Sequence, residues 1–105
     1  MKPKVKMDTD PNFFDRADAH IHLSNDQMEE IERGKVSASM MYATARFNAW
    51  LSATGFDAGT EMAFERSKTL EYFVAEYRKM LEENLDDYIH NFDKYMARRN
   101  QAGDA

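Results

Sequence analysis

The sequence contains no cysteine among its 105 residues, which excludes disulfide bridges, thiolate metal sites and cysteine nucleophiles. It has only two prolines and four glycines, so few positions force a helix to end. No apolar run approaches the ~20 residues that a membrane-spanning helix needs. Lysines near the N-terminus are not followed by the apolar stretch of a secretory signal. We therefore expect a cytoplasmic protein with no membrane partner.

The overall charge is acidic, with a formal net charge of −5 and a sequence pI near 5.1. Such a surface repels phosphate backbones, so we expect no nucleic-acid partner. Apolar residues make up 43% and charged residues 31%, a balance typical of globular proteins. A chain of this length predicts one domain with a modest core, to which self-association would add burial.

Apolar residues spaced alternately by three and four predict two helices in the first half of the chain. Asp10 can cap the first helix, and Pro11 suits its first position. Gly34 and Gly55 are expected to end the two helices in the left-handed conformation. The second helix is apolar or small nearly all round, with Arg46 as its charged residue. This pattern predicts a central, buried helix.

The third predicted helix carries an eleven-residue repeat. This spacing corresponds to ~3.67 residues per turn and a straight or slightly right-handed path. An unbroken helix of this length spans roughly 55 Å, more than a globule of this size is wide. It either bends near Asn84 or packs its aromatic-rich end against a second copy, and we favour the second. The repeat comprises Leu70, Leu81 and Phe92; Val74, Leu85 and Met96; and Tyr77 and Tyr88.

The predicted fold is all-α and resembles an up-down bundle, with three principal helices, a long C-terminal one, and completion by dimerisation. The helices are expected over residues 11–33, 37–54 and 60–97, within a single domain at 10–97. Residues 1–9 are expected to form a flexible arm, and residues 98–105 a flexible tail.

Glu83, Asp87 and His90 share one face of the third helix and form the strongest candidate metal site. A carboxylate three residues before a histidine is similar to the Glu-x-x-His ligand element of di-iron bundles, which those sites need twice, together with two more glutamates. Two carboxylates and one histidine suit a divalent ion. The pattern occurs once, with Asp where those sites have Glu, so a solvated acidic face is the favoured reading. We expect no cofactor, no metal and no catalytic residue, because the motifs of nucleophilic and phosphate-binding enzymes are missing.

Two further groups of residues are candidates for binding. Arg46, Asn48 and Trp50 on the second helix are a possible groove for a small anion or a peptide. The favoured alternative is that Arg46 tethers this helix to a glutamate of the third. The possible protein interface consists of aromatic residues of the third helix, which suit such interfaces, and of Leu23, which lies off the apolar stripe of its own helix. Its members are Leu23, Tyr77, Tyr88, Phe92 and Tyr95.

Four segments resemble a family of small proteobacterial proteins known as domain of unknown function 3144. They are DAHIHLSN (18–25), KVSAS (35–39), ARFNA (45–49) and EYFVAEYRKMLEENLDDYI (71–89). The resemblance spans most of residues 12–96 and implies a bacterial, cytoplasmic protein. It implies no activity, ligand or site.

The leading functional hypothesis is a non-enzymatic helical module for protein interaction. It would form a homodimer through its third helix and bind an unknown protein. The alternative is a small divalent-metal-binding protein or metal-dependent enzyme that uses Glu83, Asp87 and His90. A nucleic-acid role ranks third because of the acidic charge.

Overall fold

Five α-helices form the described part of the chain in the computed structural model. The structure describes the backbone of residues 10–102 and the side chains of residues 10–97. In chain order the helices are α1 (Phe13–Gln27), α2 (Arg33–Ala53), α3 (Gly59–Phe64), α4 (Arg66–His90) and α5 (Phe92–Ala102).

The all-α prediction is confirmed, since residues 10–102 contain helices and turns and no strand. Three of the helices are substantial, with 15, 21 and 25 residues in α1, α2 and α4. Within the described residues, no helix is both long enough and apolar enough to cross a membrane. These residues fall into two compact units, 10–66 and 67–102. The predicted single domain over 10–97 stays a prediction.

The start of α1 is organised by Asp10, three residues before the helix begins at Phe13. The Asp10 carboxylate accepts a hydrogen bond from the Asn12 amide at 2.9 Å and two from the Arg16 guanidinium at 3.1 and 2.8 Å. Its carbonyl accepts the Phe13 amide at 3.0 Å. The predicted cap differs in the structure: Asp10 orders the chain ahead of the helix, the N-cap residue is Asn12 with no side-chain cap hydrogen bond, and Pro11 lies in the preceding turn.

The connection between α1 and α2 differs from the prediction at Gly34. α1 ends at Gln27 in successive turns, and α2 begins after Glu32, whose carbonyl accepts the amides of Lys35 and Val36 at 3.0 and 3.2 Å. Gly34 lies in the first turn of α2 and has no left-handed φ. Glycine tolerates helical dihedrals as well as left-handed ones, so its presence did not fix where α1 ends.

The end of α2 also lacks the predicted left-handed residue, because Gly55 has no positive φ in the left-handed range. The last turn tightens instead. The amides of Gly55 and Phe56 donate to the carbonyls of Ser52 and Ala53, three residues earlier, at 3.1 Å each. Such short-range hydrogen bonds satisfy the terminal carbonyls without a left-handed residue.

α2 is largely exposed, in contrast to the prediction of a central, buried helix. α1 packs against it, and Val36, 5% exposed, is the only buried side chain among residues 10–97. The large apolar side chains farther along α2 remain at least half exposed. They are Met41, Tyr42, Phe47, Trp50 and Leu51.

The third predicted helix is divided into α3, α4 and α5 in the structure. One break lies at Glu65, whose amide donates to the Met62 carbonyl three residues earlier at 3.1 Å. The other is confined to Asn91, whose amide still donates to Asp87 at 3.0 Å. Asn84, considered as a bending point, lies inside α4, and its side-chain amide donates to the Met80 carbonyl at 2.7 Å.

The predicted flexible segments lie mostly outside the described residues. Residues 1–9, the predicted arm, are among them, as are residues 103–105 of the predicted tail. The backbone of residues 98–102 belongs to α5. The helix can continue there because arginine, glutamine and alanine are good helix formers.

Candidate interaction surface

Seven exposed apolar side chains lie on a single face of α4 and the start of α5, a set that we call the α4 stripe. Each of them is between 41% and 54% exposed. Contiguous exposed apolar surface of this kind is typical of interaction sites. The α4 stripe consists of Leu70, Val74, Tyr77, Leu81, Leu85, Tyr88 and Phe92.

The α4 stripe is aligned by the spacing of its members along the chain. Successive members are four, three, four, four, three and four residues apart. At about 100° per residue, these steps keep all seven within a sector of about 80° around the helix axis. The half-buried residues Phe73, Met80 and Asn84 border this sector on one side. Seven of the eight residues of the eleven-residue repeat therefore form an exposed face in the structure, whereas Met96 is half-buried.

A hydrogen-bonded cluster of polar residues lies beside the C-terminal end of the α4 stripe. The side-chain amide of Asn91 donates to Asp87 Oδ1 at 2.9 Å and to the Asp87 carbonyl at 3.1 Å. The hydroxyl of Tyr95 donates to Asp87 Oδ2 at 2.9 Å. Both carboxylate oxygens of Asp87 are thus engaged across the junction of α4 and α5, which fixes the helical path through Asn91.

Tyr95 is held in its neutral form by this cluster. The hydrogen bond from its hydroxyl to Asp87 raises the pKa of Tyr95, and partial burial and the negative charge of Asp87 raise it further. The Tyr95 ring packs on Tyr88, with ring centroids 4.6 Å apart. Lys94 lies over the Tyr95 ring, with Nζ 5.8 Å from the centroid. Tyr95, one of the predicted interface residues, is therefore half-buried and supports Tyr88 from the side.

The residues of the candidate metal site are placed on one helix but are not gathered around a common point. The carboxylate of Asp87 is engaged by Asn91 and Tyr95. Nδ1 of His90 lies 2.7 Å from the carbonyl oxygen of Asp86. Within the described part of the chain, no three histidine or acidic side chains are grouped so that they could hold a metal ion.

The residues of the candidate groove on α2 do not all share a face. Arg46 and Trp50 are four residues apart and lie one turn from each other, whereas Asn48 points about 160° away from Arg46 around the helix. Trp50 is 60% exposed and its ring lies 5.6 Å from that of Phe47. Arg46 and Trp50 therefore lie on one face of α2, and Asn48 lies on the other.

The predicted interface residues are distributed over both compact units. Tyr77, Tyr88 and Phe92 belong to the α4 stripe, whereas Leu23 lies on α1 and is 57% exposed. The predicted interface omitted four members of the stripe, although the eleven-residue repeat included them. The repeat itself was the signal that could have identified them, because it placed them in line with Tyr77 and Tyr88. These four are Leu70, Val74, Leu81 and Leu85.

The helices and the α4 stripe together define an all-α protein with a continuous exposed apolar face. A family model matches residues 13–89, from the first residue of α1 to the penultimate residue of α4. The chain belongs to this family, which is described as "Protein of unknown function (DUF3144)". No curated protein and no solved structure matches the chain significantly.

Proposed function

We propose that this protein is a non-enzymatic interaction module that forms a homodimer through the α4 stripe. The observation that carries the proposal is the exposure of all seven members of the stripe, from Leu70 to Phe92. About half the surface of each side chain remains available for burial. Removing that surface from water stabilises an assembly by about 1 kcal/mol per side chain.

The composition of the α4 stripe suits a protein partner. It has Tyr77, Tyr88 and Phe92 among its members, and aromatic side chains dominate the energetics of protein interfaces. Tyr88 is also braced by Tyr95, so less side-chain entropy is lost when a partner covers it. We propose that a second copy of the chain is the partner that binds this face. The expected binding of a further, different protein stays a prediction.

The polar residues nearest the stripe support a structural role over a catalytic one. Both carboxylate oxygens of Asp87 accept hydrogen bonds, and their donors are Asn91 and Tyr95. A carboxylate whose oxygens both accept hydrogen bonds within one helical segment is suited to fixing that segment. Nothing in the geometry of Glu83, Asp87 and His90 favours the metal-dependent alternative.

The test is the oligomeric state of a double variant, Tyr88→Asp with Phe92→Asp, measured by native mass spectrometry and by light scattering after gel filtration. Wild-type protein should be a dimer, and the variant a monomer, because two carboxylates per copy would have to be buried without partners. Circular dichroism checks that the helices remain.

The matched control carries the same charges off the stripe, at Tyr72→Asp with Ile89→Asp. Tyr72 and Ile89 are 60% and 68% exposed, and both lie outside the sector of the stripe. The control should remain dimeric. A monomeric wild-type protein at every accessible concentration, or a dimeric Tyr88/Phe92 variant, would overturn the proposal.

A further inference from the structure

We infer that the two copies of α4 pair antiparallel, with Leu81 of one copy against Leu81 of the other. This inference rests on the proposed dimer and adds the orientation and register of its helices. It is carried by two independent features of the segment from residue 66 to residue 96: the order of its apolar spacings and the distribution of its charges.

The spacing of the α4 stripe reads the same in both directions. The steps of four, three and four residues on one side of Leu81 are repeated in reverse on the other side. When a second copy is turned antiparallel about Leu81, every stripe residue therefore meets another stripe residue. Such a pair buries the whole stripe around one two-fold axis, as the isologous interface of a symmetric dimer requires. The facing pairs are Leu70 with Phe92, Val74 with Tyr88, and Tyr77 with Leu85.

The apolar spacing alone also permits a parallel pair, in which each residue faces its own copy. The charges along α4 and α5 distinguish the two orientations. Residues 66–79 contain four basic and two acidic side chains, a net charge of +2. Residues 83–96, the segment related to them by rotation about residue 81, contain four acidic and one basic side chain, a net charge of −3 with His90 neutral.

In the antiparallel orientation, residues 66–79 of each copy lie alongside residues 83–96 of the other, so the oppositely charged segments are paired at both ends of the dimer. The basic segment of each copy lies along the acidic segment of the other, which favours the antiparallel pair. A parallel pair would instead place segments of like net charge alongside each other, +2 beside +2 and −3 beside −3, and this repulsion disfavours it. Arg78, next to the centre, lies just outside the sector of the stripe and at the axial level of Asn84 of the other copy, whereas Lys79 and Glu83 lie on the side of the helix away from the stripe.

The experiment uses spin labels on single cysteines in the full-length chain, which has no cysteine of its own. Glu71→Cys and Glu82→Cys carry the labels. Both side chains are exposed, and eleven residues separate them, so they lie at nearly the same angle on the helix, outside the stripe. Pulsed electron paramagnetic resonance (double electron–electron resonance) then measures the distance between the two copies of each label in the dimer.

The antiparallel register predicts different distances at the two sites. The two copies of residue 71 would be displaced by about 30 Å along the helix axis, and those of residue 82 by about 3 Å, at ~1.5 Å rise per residue. The distance at residue 71 should therefore be clearly longer. Native mass spectrometry of the labelled and unlabelled proteins confirms that the sample is dimeric.

The other possible outcomes contradict different parts of the inference. Equal distances at the two sites in a dimer are expected of a parallel pair, or of an antiparallel pair centred midway between the two labels, and would overturn the register about Leu81. A longer distance at residue 82 than at residue 71 would overturn the register about Leu81. In both cases the proposed dimer would remain. A monomeric unlabelled protein would overturn the proposed function together with this inference.

Discussion

At the scale of single residues, Asp10 and Arg16 form an ion pair in which both carboxylate oxygens accept a hydrogen bond from the guanidinium. Two hydrogen bonds join them, the shorter at 2.8 Å. The Arg16 guanidinium and the Asn12 amide hold the pKa of Asp10 at about 2, below its usual 3.8. A lowered pKa means that the pair stabilises the start of α1 above pH ~4 and that this contribution is lost as the pH falls toward 2.

We expect the Asp10 carboxyl to titrate with a midpoint near 2 when its resonance is followed by NMR. In Arg16→Met, the midpoint should rise toward the usual value, because the strongest donor is removed. An unchanged Asp10 midpoint in the variant would show that the guanidinium is not its partner in solution.

Tyr95 provides the second prediction at this scale. Its pKa is raised chiefly by the hydrogen bond to Asp87, so the neutral phenol is stabilised. This stabilisation is present below the pKa of an unfolded tyrosine, near 10, and is lost as the pH rises through the raised pKa of the folded protein. In Asp87→Asn, one tyrosine should ionise at lower pH than in wild type. Ultraviolet absorbance of tyrosinate measures this, with Tyr95→Phe assigning the step; coincident wild-type and Asp87→Asn curves would refute it.

The candidate metal site shows that residue spacing predicts the face of a helix but not the hydrogen-bond partners of its side chains. The i, i+4, i+7 spacing correctly placed Glu83, Asp87 and His90 along one side of a helix. It did not reveal that Asn91 and Tyr95, which follow at i+4 and i+8 from Asp87, supply the donors for that carboxylate. Spacing gives the face of a helix, whereas hydrogen-bond partners depend on which rotamers the neighbours adopt.

At the scale of helices, periodicity predicted their existence and the structure differs mainly at their ends. Apolar spacing is set by many residues and is robust. An end depends on one or two residues, and Gly34 and Gly55 were assigned a left-handed role that neither has. The break at Asn91 was equally hidden, since the residue keeps its backbone hydrogen bond to Asp87 and interrupts the helix for a single position.

Gly34→Ala tests the structural role of this glycine directly. A methyl group at Gly34 meets no atom within 4 Å, and the residue has no left-handed φ. Alanine should therefore stabilise the protein by ~0.5–1 kcal/mol, because glycine loses more conformational freedom in a helix. The change is measured as a higher midpoint of urea unfolding with an unchanged slope. A loss of stability would mean that Gly34 ends α1 in the left-handed conformation after all.

At the scale of the whole molecule, a protein with one buried side chain among residues 10–97 needs further burial to be stable. If the second copy supplies it, the stability of the fold is linked to association by mass action. The midpoint of thermal unfolding should then rise with protein concentration in the wild type. It should be lower and independent of concentration in the Tyr88/Phe92 double variant. Calorimetry over a hundredfold range of concentration measures both; a wild-type midpoint that does not move would separate stability from dimerisation.

The class of the fold was therefore predictable from the sequence, and the eleven-residue repeat contained the residues of the α4 stripe, but the repeat alone did not show that all of them are exposed. The alternation that builds the α4 stripe is the same pattern that an internal core would require. Only the observed exposure of Leu70, Leu81 and Leu85 separates the two. Sequence periodicity shows which residues form an apolar face. It does not show whether the same chain or another molecule buries that face.

The mirrored spacing of the α4 stripe has a consequence for how this family can evolve. In an antiparallel pair, a substitution at residue 70 is met by residue 92 of the other copy, and both positions are encoded by one gene. A larger side chain at one position can thus be compensated by a smaller one at the other within the same lineage. Residue 81 faces itself and has no such freedom. Across the family, whose model matches residues 13–89, side-chain volumes should covary at 74 with 88 and at 77 with 85, while position 81 changes least.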